Sequence, residues 1–150
     1  MPRKQNLQKY LFLILTFCWI LTIFSFSLQD GSLSSLQSGF FSTRIHQFLL
    51  SMNIMIEKNT VSYLIRKGAH FTEFFILGSL ARKSSYDLKN KTLLYLVFLV
   101  PIIDETIQSF VPDRAMSVFD MGIDSLGIIA GIGVISLIIQ LLSHKLIRNN

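Results

Sequence analysis

The chain has 150 residues, the length of one domain, and 51% of them are hydrophobic while 15% are charged, which excludes a disordered or heavily solvated module. A single cysteine, Cys18, excludes an intrachain disulfide and a cysteine-built zinc cluster. The net charge of +5 is spread between long apolar runs, so the basic face that nucleic-acid binding needs is missing.

A bilayer core about 30 Å thick is crossed by about 20 apolar residues, at about 1.5 Å per residue. Tyr10 to Leu28 carries no charge and reads as the first span. Arg3, Lys4 and Lys9 precede it as the basic region of a signal peptide would. The apolar run is longer than a signal peptide's, however, and the nearest small-x-small site is Ser25-Phe26-Ser27. The expectation is an uncleaved anchor.

Residues 29–61 form a long link. Its opening, QDGSLSSLQSG, is rich in turn formers. Phe41, Ile45, Phe48, Leu49, Met52 and Ile56 then recur at steps of three and four, with Arg44, Gln47 and Ser51 off the stripe. That pattern predicts an amphipathic helix, lying on the outer membrane surface or packed over the mouth of a bundle. His46 reads as an interfacial residue without a role.

Two further segments, 62–81 and 92–111, have span length but are interrupted by polar groups. The first holds Arg66, Lys67, His70 and Glu73, and the second holds Asp104, Glu105 and Gln108. Soluble core helices are the alternative, although a small soluble core beside charge-free spans would be an odd construction. The last span, 117–142, is uncharged from Ser125 and carries Asp120 and Asp124 in its first turns. The predicted fold is therefore all-α, one domain over residues 1–150. It is a polytopic membrane four-helix bundle with an external amphipathic helix between its first two spans.

Lys and Arg concentrate in cytoplasmic loops. With the N-terminus inside, Arg3, Lys4, Lys9, Arg82, Lys83, Lys89, Lys91, Lys145 and Arg148 fall on the cytoplasmic side. Arg44, Lys58, Arg66, Lys67 and Arg114 fall outside. The excess predicts a multi-pass membrane protein with both termini cytoplasmic.

This orientation sets depth. Lys67, His70, Glu73, Asp104, Glu105, Gln108, Asp120 and Asp124 all fall in the outer half of the membrane, and Arg114 follows in the adjoining loop. An ionisable group at a helix centre costs at least ~2.5 kcal/mol and normally faces a bundle or a wet cavity. Convergence into one hydrated pocket lowers that cost. Asp120, Asp124, Gly127 and Gly131 step by four, three and four along one helix face. Gly127-x-x-x-Gly131 lets another helix approach closely. Pro101 lacks a backbone donor and loosens the third span one turn before Asp104.

Six acids (Glu73, Asp104, Glu105, Asp113, Asp120, Asp124) face three fixed bases (Arg66, Lys67, Arg114). Protonated carboxylates, a bound hard cation held by oxygens, or a cationic ligand would restore the balance. The alternative is an ion network that only locks the helices together.

Lys67, His70, the Phe74/Phe75 pair, Leu77 and Gly78 loosely match a Lys-x-x-His-x-x-aromatic-x-x-Leu-Gly segment. The stretch DETIQSFVPDRAMSVFDMGIDSLGIIAG, Asp104 to Gly131, matches Asp-Glu-x-x-Gln-x-Phe-x-Pro-Gly-Arg followed by Asp-x-x-x-Asn-x-x-Gly-x-x-x-Gly. These motifs resemble the VanZ-like family of small bacterial membrane proteins. Asp113 stands where the family has Gly, Asp124 where it has Asn, and Glu73 is an unexpected acid. The resemblance implies a link to lowered susceptibility to teicoplanin-type lipoglycopeptides.

Three functions follow. The first is an outward-facing pocket that binds a polar or charged envelope ligand, a lipid or a glycopeptide, through Lys67, His70, Glu73, Asp104, Glu105, Gln108, Arg114, Asp120 and Asp124. The second is an enzyme on a lipid-linked substrate. Asp104, Asp120 and Asp124 would hold a divalent cation, and His70, Asp104 and Glu105 are its catalytic candidates. No three-His set, nucleophile motif or phosphate loop accompanies them. The third is a subunit that docks a membrane partner or a second copy through its glycine face.

Overall fold

A computed structural model describes the backbone of residues 2–148 and, apart from Gln37, the side chains from Tyr10 to Lys145. The side chains of Arg3, Lys4, Lys9 and Arg148, which enter the orientation count, lie outside the described residues. The fold is all-helical, with no strand among the described residues. Its elements are α1 (Pro2–Ser27), α2 (Gly31–Ser51), α3 (Lys58–Leu88), α4 (Thr92–Leu96), a 3-10 turn (Val97–Leu99), α5 (Val100–Gln108) and α6 (Val118–Arg148).

Tyr10–Ser27 of α1 and Val118–Lys145 of α6 are long and apolar enough to cross a membrane. Only 17% of each is buried inside the protein, which separates them from the core helices of a soluble fold. Phe17 and Leu21 on α1, and Leu126, Leu137 and Leu141 on α6, are more than half exposed. In water such apolar flanks would be costly, at roughly 25 cal/mol per Å².

The core lies where α1, α3, the 3-10 turn, α5 and α6 meet. It consists of Ile23, Phe74, Leu77, Ala81, Val97, Val100 and Ile128. Helix α3 is its axis and packs on α1, α2, α4, the 3-10 turn and α6, while α5 packs on α1 and α6. Trp19 Nε1 donates to the Glu73 carbonyl at 2.9 Å, and the Lys83 ammonium sits over the Phe12 ring at 4.9 Å, so α1 and α3 are antiparallel. Lys67 meets Asp120 and Arg82 meets Ser136, so α3 and α6 run the same way.

The predicted close approach at Gly127 and Gly131 is made by α3. A Cβ at Gly127 would lie 2.6 Å from the Phe71 carbonyl oxygen, and one at Gly131 would lie 2.1 Å from that of Phe75. Gly78 answers from α3, where a Cβ would meet the Ile128 oxygen at 2.3 Å. This face is therefore packed against α3 within the chain.

Pro101 interrupts the third span, but by tightening it rather than by the expected loosening. Without its N–H the ladder tightens, and Val100 N–H donates to the Val97 carbonyl in the 3-10 turn. The third predicted span is thus α4, a 3-10 turn and α5, and it stops at Gln108, short of the expected Val111. The chain then turns through Val111–Arg114.

The link 29–61 departs most from expectation. Its turn-rich opening is helical from Gly31. Asp30 caps it, its Oδ1 accepting from Ser32 N–H at 3.0 Å. The hydroxyls that suggested turns bond back into the helix, Ser38 to the Ser35 carbonyl and Ser42 and Thr43 to that of Gly39. Helix α2 packs on α3 and buries Ser38 and Ser42, while Phe41 and Phe48 of the predicted stripe are exposed. Small residues permit the close contact, and the apolar stripe points outward. Met52 caps the helix and Ile56 lies beyond it. His46 fastens the following loop, its Nε2 3.0 Å from the Ile56 carbonyl oxygen.

Candidate functional site

The last turn of α1, the first half of α3, the end of α5 and the start of α6 meet at one end of the molecule. Asp104 and Glu105 on α5 and Asp124 on α6 are fully buried there. Asp104 accepts from the Ser27 hydroxyl and from Gln108 Nε2, the latter at 2.8 Å. Glu105 Oε2 accepts from Ser117 N–H at 2.7 Å, which ties α5 to the approach of α6. Lys67 pairs with Asp120 near the surface.

Asp124 differs from its neighbours. Among the described residues neither of its oxygens has a hydrogen-bond partner, and the same is true of Glu105 Oε1 and His70 Nδ1. His70 Nδ1 lies 3.7 Å from Asp124 Oδ1, beyond hydrogen-bond reach. An unpartnered buried carboxylate is costly, about 1–3 kcal/mol or more. The helices nevertheless hold it in place, because Gly127, one turn below it, brings α6 against the α3 backbone.

His70, Asp104 and Asp124 each offer one ligand atom, and these atoms lie within 4.8 Å of one another. Two carboxylates and an imidazole form an oxygen-rich set suited to a hard or borderline divalent cation. Of the metal candidates Asp104, Asp120 and Asp124, the first and last lie in this group with His70, while Asp120 pairs with Lys67.

Two cavities, of about 230 and 220 Å³, open beside the cluster. Ser34, Arg66, His70 and Arg114 line both. Glu73 lines the first, and Lys67, Gln108 and Asp120 line the second. The cavity walls therefore mix the bases Arg66, Lys67 and Arg114 with the acids Glu73, Asp113 and Asp120. All nine predicted ligand-binding residues fall within this region. Asp104, Glu105 and Asp124 line neither cavity and lie buried behind them, with Glu105 bonded to the Ser117 backbone.

Ser27 and Arg66 are not among the predicted ligand residues. Ser27 gave one signal, a hydroxyl ending an apolar helix at the depth of the acids. Arg66 entered only the orientation and charge counts, although its place one turn before His70 puts it on the same side of α3.

The chain matches the VanZ/LLP1 family over residues 12–140, from α1 well into α6. It belongs to that family. No curated protein and no solved structure matches it. Within this VanZ/LLP1 protein the departures from the motif have structural meaning. Asp113 adopts φ 59°, the left-handed conformation that glycine enters freely, so the turn before Arg114 persists with an aspartate in it. This turn docks on α2, where Gly31 N–H donates to the Pro112 carbonyl at 3.3 Å. Asp124, where the resembling motif has Asn, is buried behind the recess without a hydrogen-bond partner among the described residues.

Proposed function

We propose that this VanZ/LLP1 protein crosses the bacterial membrane four times, through α1, α3, α4–α5 and α6, with both termini cytoplasmic. Two features support this reading. The passes alternate in direction, and α4–α5 turns Tyr95, Leu96, Leu99, Ile102 and Ile103 outward. On this topology α2 is external and the recess opens to the outside.

The recess binds the polar head of an amphipathic envelope ligand. The observation that carries this reading is the presence of both signs of charge in one recess. Arg66 and Arg114 in the walls suit a carboxylate or phosphate, which arginine grips in a bidentate fork. Glu73 and Asp120 in the walls, with the unpartnered Asp124 buried behind His70, suit an ammonium group. Ligands with both charges include lipid-linked wall precursors and the lipoglycopeptides implied by the family resemblance. The test is binding of teicoplanin and of a labelled lipid-linked precursor to purified protein in nanodiscs. Asp124→Asn and Arg114→Ala each weaken binding of at least one probe by about tenfold or more, the value of one charge-assisted contact. Unchanged affinity for both probes in both variants overturns the reading.

The His70, Asp104 and Asp124 trio favours a second reading, a divalent cation that polarises a phosphoryl oxygen of a lipid-linked substrate. Turnover of such a substrate that stops with chelator and returns with added metal supports it. Turnover indifferent to chelator removes it.

A further inference from the structure

At the opposite end of the molecule α1, α3, α4 and α6 surround a groove of about 1210 Å³. Arg82, Lys83, Lys89 and Lys91 line it, against one carboxylate, Asp87. The other eight acids of the chain lie in residues 30–73 and 104–124, toward the site already described. Lys83 is matched by Asp87 and rests on the Phe12 and Tyr86 rings. Among the described residues no carboxylate pairs with Arg82, Lys89 or Lys91. Arg82 is nevertheless held in position, its Nε donating to Ser136 Oγ across the α3–α6 junction at 2.7 Å. That bond leaves the two terminal amino groups of the guanidinium for a ligand. The walls between these cations are apolar, made by Leu11, Leu94 and Ile132.

Positive charges around an apolar cleft between helices suit a ligand that is anionic at one end and oily at the other. Basic pockets between spanning helices recognise anionic lipid head groups in this way. Inorganic phosphate would use the cations and leave the walls idle. We propose that the groove is a binding site for an anionic phospholipid. Its phosphodiester sits among Arg82, Lys89 and Lys91, and an acyl chain lies along Leu11, Leu94 and Ile132. The proposal stands apart from the envelope-ligand reading, since the two sites share no residue. On the topology proposed above the groove faces the cytoplasmic leaflet.

The test is native mass spectrometry and thermal unfolding of delipidated full-length protein. The probes are phosphatidylglycerol, phosphatidylcholine of the same acyl chains, and inorganic phosphate. Phosphatidylglycerol stays bound at one per chain and raises the unfolding temperature, while the other two do neither. Lys89→Gln with Lys91→Gln removes two exposed cations without touching the core, and weakens phosphatidylglycerol binding about thirty-fold. Arg82→Gln weakens it further. Lys145→Gln, an exposed basic site outside the groove, leaves it unchanged. Equal retention of the two lipids, an equal effect of inorganic phosphate, or wild-type affinity in the folded double-lysine variant overturns the proposal.

Discussion

Replacing Gly131 by alanine puts a methyl carbon 2.1 Å from the Phe75 carbonyl oxygen and 2.8 Å from the Ser79 amide nitrogen. Both obstacles are backbone, so neither can swing aside, and the first is more than 1 Å short of ordinary contact. Helices α3 and α6 have to part locally. Two residues on, Gly133 has open space where its Cβ would go, with nothing within 4 Å. The helix-propensity gain of Gly→Ala, about 1 kcal/mol, enters both substitutions and cancels in their comparison. What remains is overpacking, about 1–3 kcal/mol. At about 2–4 °C per kcal/mol for a chain of this size, Gly131→Ala unfolds several degrees below Gly133→Ala. Fluorescence-detected thermal unfolding in one detergent measures the difference directly, with Trp19 as the only tryptophan. Equal unfolding temperatures for the two variants would refute backbone contact at this seam.

Asp124→Asn replaces a buried carboxyl group that has no hydrogen-bond partner among the described residues with a neutral amide, so the unliganded protein loses no stability while ligand affinity falls; thermal unfolding without ligand reads the first effect, and a lower unfolding temperature would show that Asp124 is satisfied in the free protein. Asp113→Gly relieves a left-handed residue and stabilises by up to about 1 kcal/mol, whereas Asp113→Val costs more than that; the order of the three unfolding temperatures is the check, and valine equal to aspartate would count against the assigned turn.

The two charge-free runs announced α1 and α6, because in those stretches composition alone decides the environment. Gly127 and Gly131 announced a close approach, since a repeat of four keeps both on one helix face. That repeat does not say which helix approaches. Gly78 completes the seam from α3, and its part depends on the relative rotation of two helices that no local pattern encodes. The same limit applies to Asp120. Its spacing from Asp124 suggested a shared ion, and that spacing carries no sign of its pairing with Lys67, 53 residues away in the chain. In α2 the serines misled because hydroxyls serve turns and helix interiors alike, and only packing on α3 selects the helix. The convergence of His70, Asp104 and Asp124 was legible from depth, because ionisable groups in apolar segments have few places to go.

The glycine seam also limits how the protein can change shape. With Gly78, Gly127 and Gly131 in backbone contact, α3 and α6 form a rigid keel that cannot slide without a clash of main chains. The Ser27–Asp104 bond and the 109–117 loop are side-chain and turn contacts, which exchange partners at far lower cost. Widening of the recess to admit a bulky head group therefore falls to α1, α5 and that loop, swinging against a fixed wall.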